Sequence, residues 1–279
     1  MKNITLLGAG GKMGLRISAN LIRSDYDVRF VEISERGKSA LRQLGIAAVP
    51  LKQALEDTEA VILAIPDNQI GIVTAQMEPQ LSSGTMLIAL DVAAPMAGCL
   101  PKRDDLRYFV THPCHPSVFG GDVDPRAQRD FFGGTYAPQN IVCSLIQGPE
   151  EVYVSAEAIA RLIYAPVLNS HRCTAEQMAI LEPVLSETVL GTCLTVVAEA
   201  MQEAVKMGVP EAAARDFLLG HLKVELGIVF RLFEGATFSD GALMAIEEAK
   251  RTLFQPDWKK VFQREEWMES IRKITAAPA

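Results

Sequence analysis

The chain has 279 residues, hydrophobic residues make up 49% of it, and its formal net charge is −7. This length can fill one large core or two ordinary ones. The acidic balance, without a basic run or a basic–aromatic stripe, argues against a nucleic-acid partner. The longest uninterrupted apolar runs, such as AVILAIP and LGIVF, are far shorter than a membrane span, so we expect no membrane partner.

The cysteines and the first residues predict where the protein works. The five cysteines form no CxxC pair, and an odd number suits a reducing compartment better than a disulfide framework. The opening MKNITLLGAGG resembles a strand entering a glycine turn rather than a signal peptide. We therefore expect a cytoplasmic protein.

The first part of the chain alternates apolar runs with amphipathic stretches. Residues 12–24 predict a helix with Met13, Ile17 and Leu21 along one face. Apolar runs without alternation indicate strands that are covered on both faces. The pattern predicts an α/β fold, a Rossmann-type doubly wound parallel sheet, over residues 1–173. The predicted strands are NITLLG, DVRFVE, AVILAIP, TMLIALD, RYFVTH, NIVCSLIQ and PVLNSH.

From Thr174 onward the pattern is helical. Thr174 and Gln177 have the spacing of a capping box, and long stretches with helical periodicity follow. These stretches predict a second, all-α domain over residues 174–279. Since its helices are so apolar, we expect them to bury surface in a homodimer.

The segment GAGGKMG lies between the first strand and the first helix. Glycines there allow a tight turn and bring backbone N–H groups close to a pyrophosphate. Met13 occupies the third glycine position of GxGxxG, so the strict motif is not met, and such turns also connect ligand-free elements. We interpret the segment as a dinucleotide site formed by Gly8, Gly10, Gly11, Lys12, Met13 and Gly14.

Glu32 ends the second strand, eighteen residues after Gly14. A carboxylate there can accept both ribose hydroxyls of NAD and repel a 2′-phosphate. It can also simply cap the next helix, and Arg36 keeps NADP open. The AIPDN turn ends a later strand, where Ile65, Pro66 and Asp67 can flank the cofactor and also begin the next helix, because the two roles are compatible.

The segment THPCHPSVF, residues 111–119, holds two of the four histidines. His112 and His115 can serve as bases or metal ligands, or the segment is an ordinary turn with an imidazole bonded to a carbonyl. Glu182 precedes Pro183, which can kink the helix. His221 and Glu225 lie four apart, and we interpret them as a local helix pair.

The glycine turn, Glu32, the AIPD turn and the helical second half together resemble the β-hydroxyacid dehydrogenase superfamily. That superfamily includes phosphogluconate dehydrogenase, hydroxyisobutyrate dehydrogenase and ketol-acid reductoisomerase. Within it, THPCHPSVF and AEQMAILEPVLSE are most similar to the D-apionate oxidoisomerases. In place of the dehydrogenases' Lys-x-x-x-Asn pair, this chain has Glu182 and Ser186 at the comparable spacing.

The resemblance implies an enzyme of carbohydrate metabolism, an NAD-dependent oxidoisomerase of a branched polyhydroxy sugar acid such as D-apionate. It would couple oxidation of a secondary alcohol to carboxylate migration. The implied catalytic residues are His112, His115, Glu182 and Ser186, and a divalent metal, if present, would bind His115 and Glu182. Three alternatives stay open: a plain or decarboxylating hydroxyacid dehydrogenase, a semialdehyde dehydrogenase using Cys114 as nucleophile, and an NAD sensor without turnover.

Overall fold

The computed structural model describes residues 1–121 and 124–276. Its contacts group the chain into two units, Met1–Pro183 with the last helix from Trp267 onward, and Val184–Glu266. This grouping differs from the predicted division after residue 173. The reason is packing: Met178 and Ala179 are buried in the first unit, and so are Trp267 and Ile271 of the last helix.

The first unit is built on a seven-stranded sheet with the order β2-β1-β3-β4-β5-β6-β7. All neighbouring strands are parallel except β5 and β6, which are antiparallel. The predicted Rossmann-type sheet is thus confirmed, with one antiparallel pair added. The strands are β1 (Asn3–Leu7), β2 (Asp27–Val31), β3 (Ala60–Leu63), β4 (Met86–Ala89), β5 (Arg107–Pro113), β6 (Gln139–Gln147) and β7 (Val167–Arg172).

Helices cover both faces of this sheet. Ile62 of β3 packs into the core that includes Ile17 and Ile159, whereas its neighbour Val61 packs into the core that includes Ile70. Alternate residues of one strand therefore meet different helix layers, which explains why the strands are apolar throughout. The helices are α1 (Lys12–Leu21), α2 (Glu35–Gln43), α3 (Leu51–Ala54), α4 (Asp67–Met77), α5 (Ala93–Met96), α6 (Val152–Ile163) and α7 (Ala175–Ala179), with 3₁₀ turns at Glu78–Gln80 and Ala127–Arg129.

The chain after α7 is helical, as predicted. The capping box of Thr174 and Gln177 is present. A π-helix, Ile180–Gly191, follows α7 and contains Pro183. Because proline has no N–H to donate, the helix changes its hydrogen-bonding pattern around it. The remaining helices are α8 (Thr192–Lys206), α9 (Glu211–Val229), α10 (Asp240–Leu253) and α11 (Arg264–Ala276), with a 3₁₀ helix at Trp258–Phe262.

The stretch Ala175–Lys206 is the longest helical stretch that is also strongly apolar. One 18-residue window in it has a mean hydropathy of 1.5, which by length and composition alone suffices to cross a membrane. The sequence-based expectation considered only uninterrupted apolar runs and therefore overlooked it. Only 11% of that window is buried. Such a helix needs a cover, which another protein surface can supply as well as a lipid layer.

Candidate active site

The glycine turn after β1 is shaped by close backbone approaches. Gly8 has a φ of +71°, in the left-handed region that glycine adopts without strain. A Cβ on Gly8 would lie 2.2 Å from the carbonyl oxygen of Ala64, and one on Gly14 would lie 2.0 Å from the carbonyl oxygen of Gly8. Any side chain at these two positions would collide with backbone. The turn therefore forms the tight, side-chain-free cradle that a dinucleotide pyrophosphate needs.

Glu32 lies beside this cradle. Its Oε2 accepts a hydrogen bond of 2.9 Å from the N–H of Gly10, and its Oε1 accepts from the N–H and hydroxyl of Ser34. Burial raises the pKa of Glu32, but these hydrogen bonds outweigh it and hold the pKa below its ordinary value. A carboxylate has about four acceptor positions. One acceptor position on Oε2 is thus left for a ribose hydroxyl. A second ribose hydroxyl can bind Oε1 only when the Ser34 hydroxyl rotates away from it.

The AIPD turn after β3 touches the glycine turn. Cγ2 of Ile65 would lie only 2.9 Å from a Cβ on Gly8. Pro66 precedes α4 and Asp67 begins it. Ile65, Pro66 and Asp67 thus lie at the same edge of the sheet as Gly8, because β1 and β3 are parallel neighbours. Lys12 and Met13 begin α1 from the other side of the turn, and the ammonium of Lys12 lies 3.7 Å from the ring centroid of Phe132.

His112 is the centre of a three-residue cluster. It lies near the end of β5, and its Nδ1 is 2.8 Å from the carbonyl oxygen of Leu90. Its Nε2 is 3.3 Å from Oε2 of Glu182, and its Nδ1 is 3.6 Å from Oδ2 of Asp91. One donor atom of each of Asp91, His112 and Glu182 lies within 4.8 Å of the others. This arrangement can bind a cation or share a proton.

His115 is held separately from this cluster. Its Nδ1 lies 3.0 Å from the carbonyl oxygen of Phe132, and the rings of the two histidines are 6.2 Å apart between centroids. Its φ of +60° is uncommon for any residue other than glycine. A carbonyl can only accept, so Nδ1 donates and Nε2 keeps its lone pair. His115 is therefore arranged to accept a proton.

The sequence offers two further candidate residues, Ser186 and Cys114. Ser186 is exposed and belongs to the second unit, so its catalytic role stays a prediction. The thiol of Cys114 has a pKa raised by burial and by the nearby thiols of Cys173 and Cys143. Such a thiol forms less of the reactive thiolate than an ordinary cysteine.

Two features of the site could not be assigned from the sequence. Asp91 follows the predicted strand TMLIALD, where a place at the ligand crevice and a role as a helix cap are both open. Its position after a strand could have indicated its place beside His112, because β4 and β5 are parallel neighbours whose carboxyl ends lie at the same edge of the sheet. The second feature is the pairing of Arg16 with Asp130, 2.7 Å apart, which fastens the segment after His115 to α1. No local pattern indicates a pair so distant in sequence.

Two family models match the chain. The model described as phosphogluconate dehydrogenase (decarboxylating) C-term matches residues 121–275. The model described as NADP oxidoreductase coenzyme F420-dependent matches residues 3–95. The first covers more than half of the chain, mostly its helical part, and the second covers the first four strands of the sheet.

Individual proteins match over nearly the full length. A D-apionate oxidoisomerase from Cupriavidus necator is 54% identical over 275 residues, which are 98% of this chain and 99% of that protein. One from Rhizobium rhizogenes is 52% identical, covering 99% of this chain and all of that protein. A crystal structure described as a semialdehyde dehydrogenase NAD-binding protein from Cupriavidus necator, in complex with calcium and NAD, superimposes with a TM-score of 0.96 at 54% identity. It covers 99% of this chain and 100% of its own.

Proposed function

Because this chain belongs to the family of the D-apionate oxidoisomerases, we propose that it oxidises D-apionate, or a closely similar branched sugar acid, with NAD and rearranges the product. One structural observation carries the proposal. His112 meets Glu182, with the ring of His115 centred 6.2 Å from that of His112, at the edge of the sheet where the glycine turn and Glu32 form a dinucleotide cradle. Acid–base groups beside a hydride acceptor are what such an oxidation requires.

The cofactor we propose is NAD rather than NADP. Glu32 keeps an acceptor position for a ribose hydroxyl and carries a negative charge that repels a 2′-phosphate. Its lowered pKa keeps it ionised at neutral pH. Arg36 is exposed and does not bind Glu32 among the described contacts, so the carboxylate's charge is not neutralised by that residue.

The oxidation needs one base. Bound NAD⁺ supplies the hydride acceptor. The hydride, with both electrons of the C–H bond, leaves the carbinol carbon, and the hydroxyl proton passes to Nε2 of His115. The products are a 2-oxo acid, NADH and one proton on the imidazole. Nδ1 of His115 stays bonded to the carbonyl of Phe132, which keeps Nε2 directed as the acceptor.

The rearrangement redistributes atoms without a further oxidant. A base removes the hydroxyl proton of the tertiary carbinol next to the new ketone. A carbon substituent of that carbinol then shifts with its bonding pair to the ketone carbon, whose oxygen takes up a proton. The old carbinol becomes a ketone and the old ketone a tertiary carbinol. The carboxylate stays on the former ketone carbon throughout. The group that migrates is therefore a substituent of the carbinol, whereas the expectation from the sequence named the carboxylate.

The semialdehyde dehydrogenase alternative depends on Cys114. An acyl-transfer mechanism requires a thiolate at neutral pH, and burial together with neighbouring thiols raises the pKa of this one. We therefore expect Cys114→Ser to keep most of the oxidoisomerase activity. A variant that loses all activity, with a thioester trapped on the wild-type enzyme, would favour the alternative.

We also propose that the protein is a cytoplasmic homodimer, as its apolar helices suggest. Phe217, Phe230 and Leu253 of the second unit are each more than 60% exposed. A groove of about 490 Å³ between α8 and α9 is lined by Val197, Met201 and other apolar side chains. A second copy of the chain is the cover that we propose for this surface. Sedimentation should show a dimer that Phe217→Glu weakens, and a monomeric wild-type protein would refute it.

The experiment that tests the function uses D-apionate and NAD. NADH formation reports the oxidation, and carbon NMR of the product reports the change of skeleton. NADH without substrate dependence, or a product with an unaltered skeleton, would contradict the oxidoisomerase proposal.

A further inference from the structure

His112 presents a hydrogen-bond acceptor to another acceptor. Its Nδ1 lies 2.8 Å from the carbonyl oxygen of Leu90, and because a carbonyl has no proton, Nδ1 must carry the ring hydrogen. In the neutral imidazole Nε2 then holds a lone pair, and this lone pair lies 3.3 Å from Oε2 of Glu182. Two acceptors at this distance repel each other unless positive charge lies between them. The arrangement therefore calls for a proton or a cation.

The additional negative charge of Asp91 favours a cation over a proton at this position. Its Oδ1 accepts a hydrogen bond of 2.7 Å from the N–H of Ala93, which fixes the carboxylate beside His112. The side chains of Asp91, His112 and Glu182 are only 21–26% exposed. Two carboxylates and a neutral imidazole carry a charge of −2, which one divalent cation neutralises. A single shared proton leaves −1 in a partly desolvated site, at a higher energetic cost.

We propose that Asp91, His112 through Nε2, and Glu182 bind one divalent cation. Only the role of the cation, not its place, rests on the proposed function: when bound, it supplies a Lewis acid for the carbonyl and alkoxide oxygens of the substrate. Three protein ligands leave coordination positions open, as in catalytic rather than structural metal sites. The ligand set predicted from the sequence thus keeps Glu182, replaces His115 by His112 and adds Asp91.

The surroundings of His112 fit a metal ligand. A histidine that binds a metal usually donates its other N–H to a carbonyl or carboxylate, which fixes the ring and its tautomer. Leu90 accepts that N–H here, and Asp91 follows it directly. Glu182 lies in a π-helix, a distortion that occurs frequently at functional sites. His115 is not part of this ligand set. Its Nδ1 donates to the carbonyl oxygen of Phe132, and its Nε2 can act as the base.

The donor set restricts the kind of cation. Imidazole suits transition metals such as Zn²⁺, and carboxylates suit Mg²⁺, Ca²⁺ and Mn²⁺. One donor atom of each residue lies within 4.8 Å of those of the other two, and the contact of His112 with Glu182 is made by Nε2. Ligands on opposite sides of an ion with distances of about 2.3–2.6 Å can be that far apart. Mn²⁺ is the probe of choice because its binding is followed directly by electron paramagnetic resonance.

The test is a Mn²⁺ titration of the full-length protein after treatment with a chelator. We expect one site per chain, and Mg²⁺, Ca²⁺ and Zn²⁺ compete for it in separate titrations. Asp91→Asn, His112→Gln and Glu182→Gln keep the side-chain shapes and should each weaken Mn²⁺ binding about 10-fold or more. Matched controls on exposed residues, Asp104→Asn, His171→Gln and Glu151→Gln, should bind as the wild type does. Circular dichroism confirms that each variant is folded.

Two outcomes would overturn the proposal. These are a wild-type protein that binds none of the four cations at a single site, or folded variants that bind Mn²⁺ as tightly as the wild type. A failure of the proposed function looks different. A protein that binds the cation through these residues but leaves D-apionate unchanged keeps the site and loses the function. A protein that binds the cation but converts D-apionate equally well without it keeps both the site and the function, and only the Lewis-acid role of the cation is then wrong.

Discussion

Nε2 of His112 lies 3.3 Å from Oε2 of Glu182, while Nδ1 of the same ring lies 2.8 Å from the carbonyl oxygen of Leu90. A strand end and a π-helix thereby meet at one imidazole whose two nitrogens have different roles. The nitrogen facing Leu90 fixes the ring, and the nitrogen facing Glu182 remains available for chemistry. Together with His115, this pair gives the site two separately held imidazoles, and we propose that His112 binds a cation and that His115 accepts a proton.

Glu32→Ala should weaken NAD binding and reduce the preference for NAD over NADP. The ribose loses a charged acceptor worth about 1.5–3 kcal/mol, which corresponds to roughly 10- to 150-fold in affinity. Fluorescence titration with NADH and NADPH measures both effects. Glu35→Ala, on an exposed residue three positions away, is the control and should leave both affinities unchanged. An unaltered cofactor preference in Glu32→Ala would remove Glu32 from the cofactor site.

His115→Gln should lower kcat by about 10²–10⁴, the usual contribution of a general base. NADH affinity should stay within about 2-fold, because the dinucleotide cradle is formed by other residues. The pH dependence of kcat separates a catalytic role from a structural one, since loss of the base removes its titration from the profile. His171→Gln is the control, on an exposed residue of β7. A folded His115→Gln enzyme with wild-type kcat and pH profile would contradict the assignment.

The contact between the glycine turn and Glu32 could be predicted from the sequence, and the cluster around His112 only in part. Gly8, Gly10 and Glu32 lie within 25 positions of one another, and a strand–turn–helix motif fixes their geometry locally. Asp91 could not be paired with Glu182, because their meeting depends on how distant elements pack. Pro183 indicated a disturbed helix, but its missing N–H is compatible with a kink as well as with a π-helix, so the sequence alone does not separate them.

Asp130→Asn should destabilise the protein and reduce its sensitivity to acid. Burial raises the pKa of Asp130, but hydrogen bonds from the backbone N–H groups of Tyr136 and Ala137 and from Arg16 lower it overall. The stabilisation is therefore complete above the pKa of the unfolded chain, about 3.9, and is lost as the pH falls through the lower pKa of the folded state.

Urea unfolding at neutral pH and below about pH 4 measures this effect. We expect Asp130→Asn to lose about 1.5–3 kcal/mol at neutral pH and to change less than the wild type on acidification. Asp104→Asn, on an exposed residue, should behave as the wild type does. Equal losses on acidification in wild type and Asp130→Asn would show that the pair with Arg16 is not the source of the acid sensitivity.

The central claim is that oxidation and skeletal rearrangement occur on one enzyme. The most direct test converts D-apionate carrying carbon labels at C2 and in the carbinol substituent, and follows NADH and the carbon NMR spectrum together. The account predicts one NADH per product and a new one-bond coupling between the two labelled carbons, because the shifted substituent now lies on the former ketone carbon. NADH formed with the original coupling pattern would show a plain dehydrogenase and contradict the account.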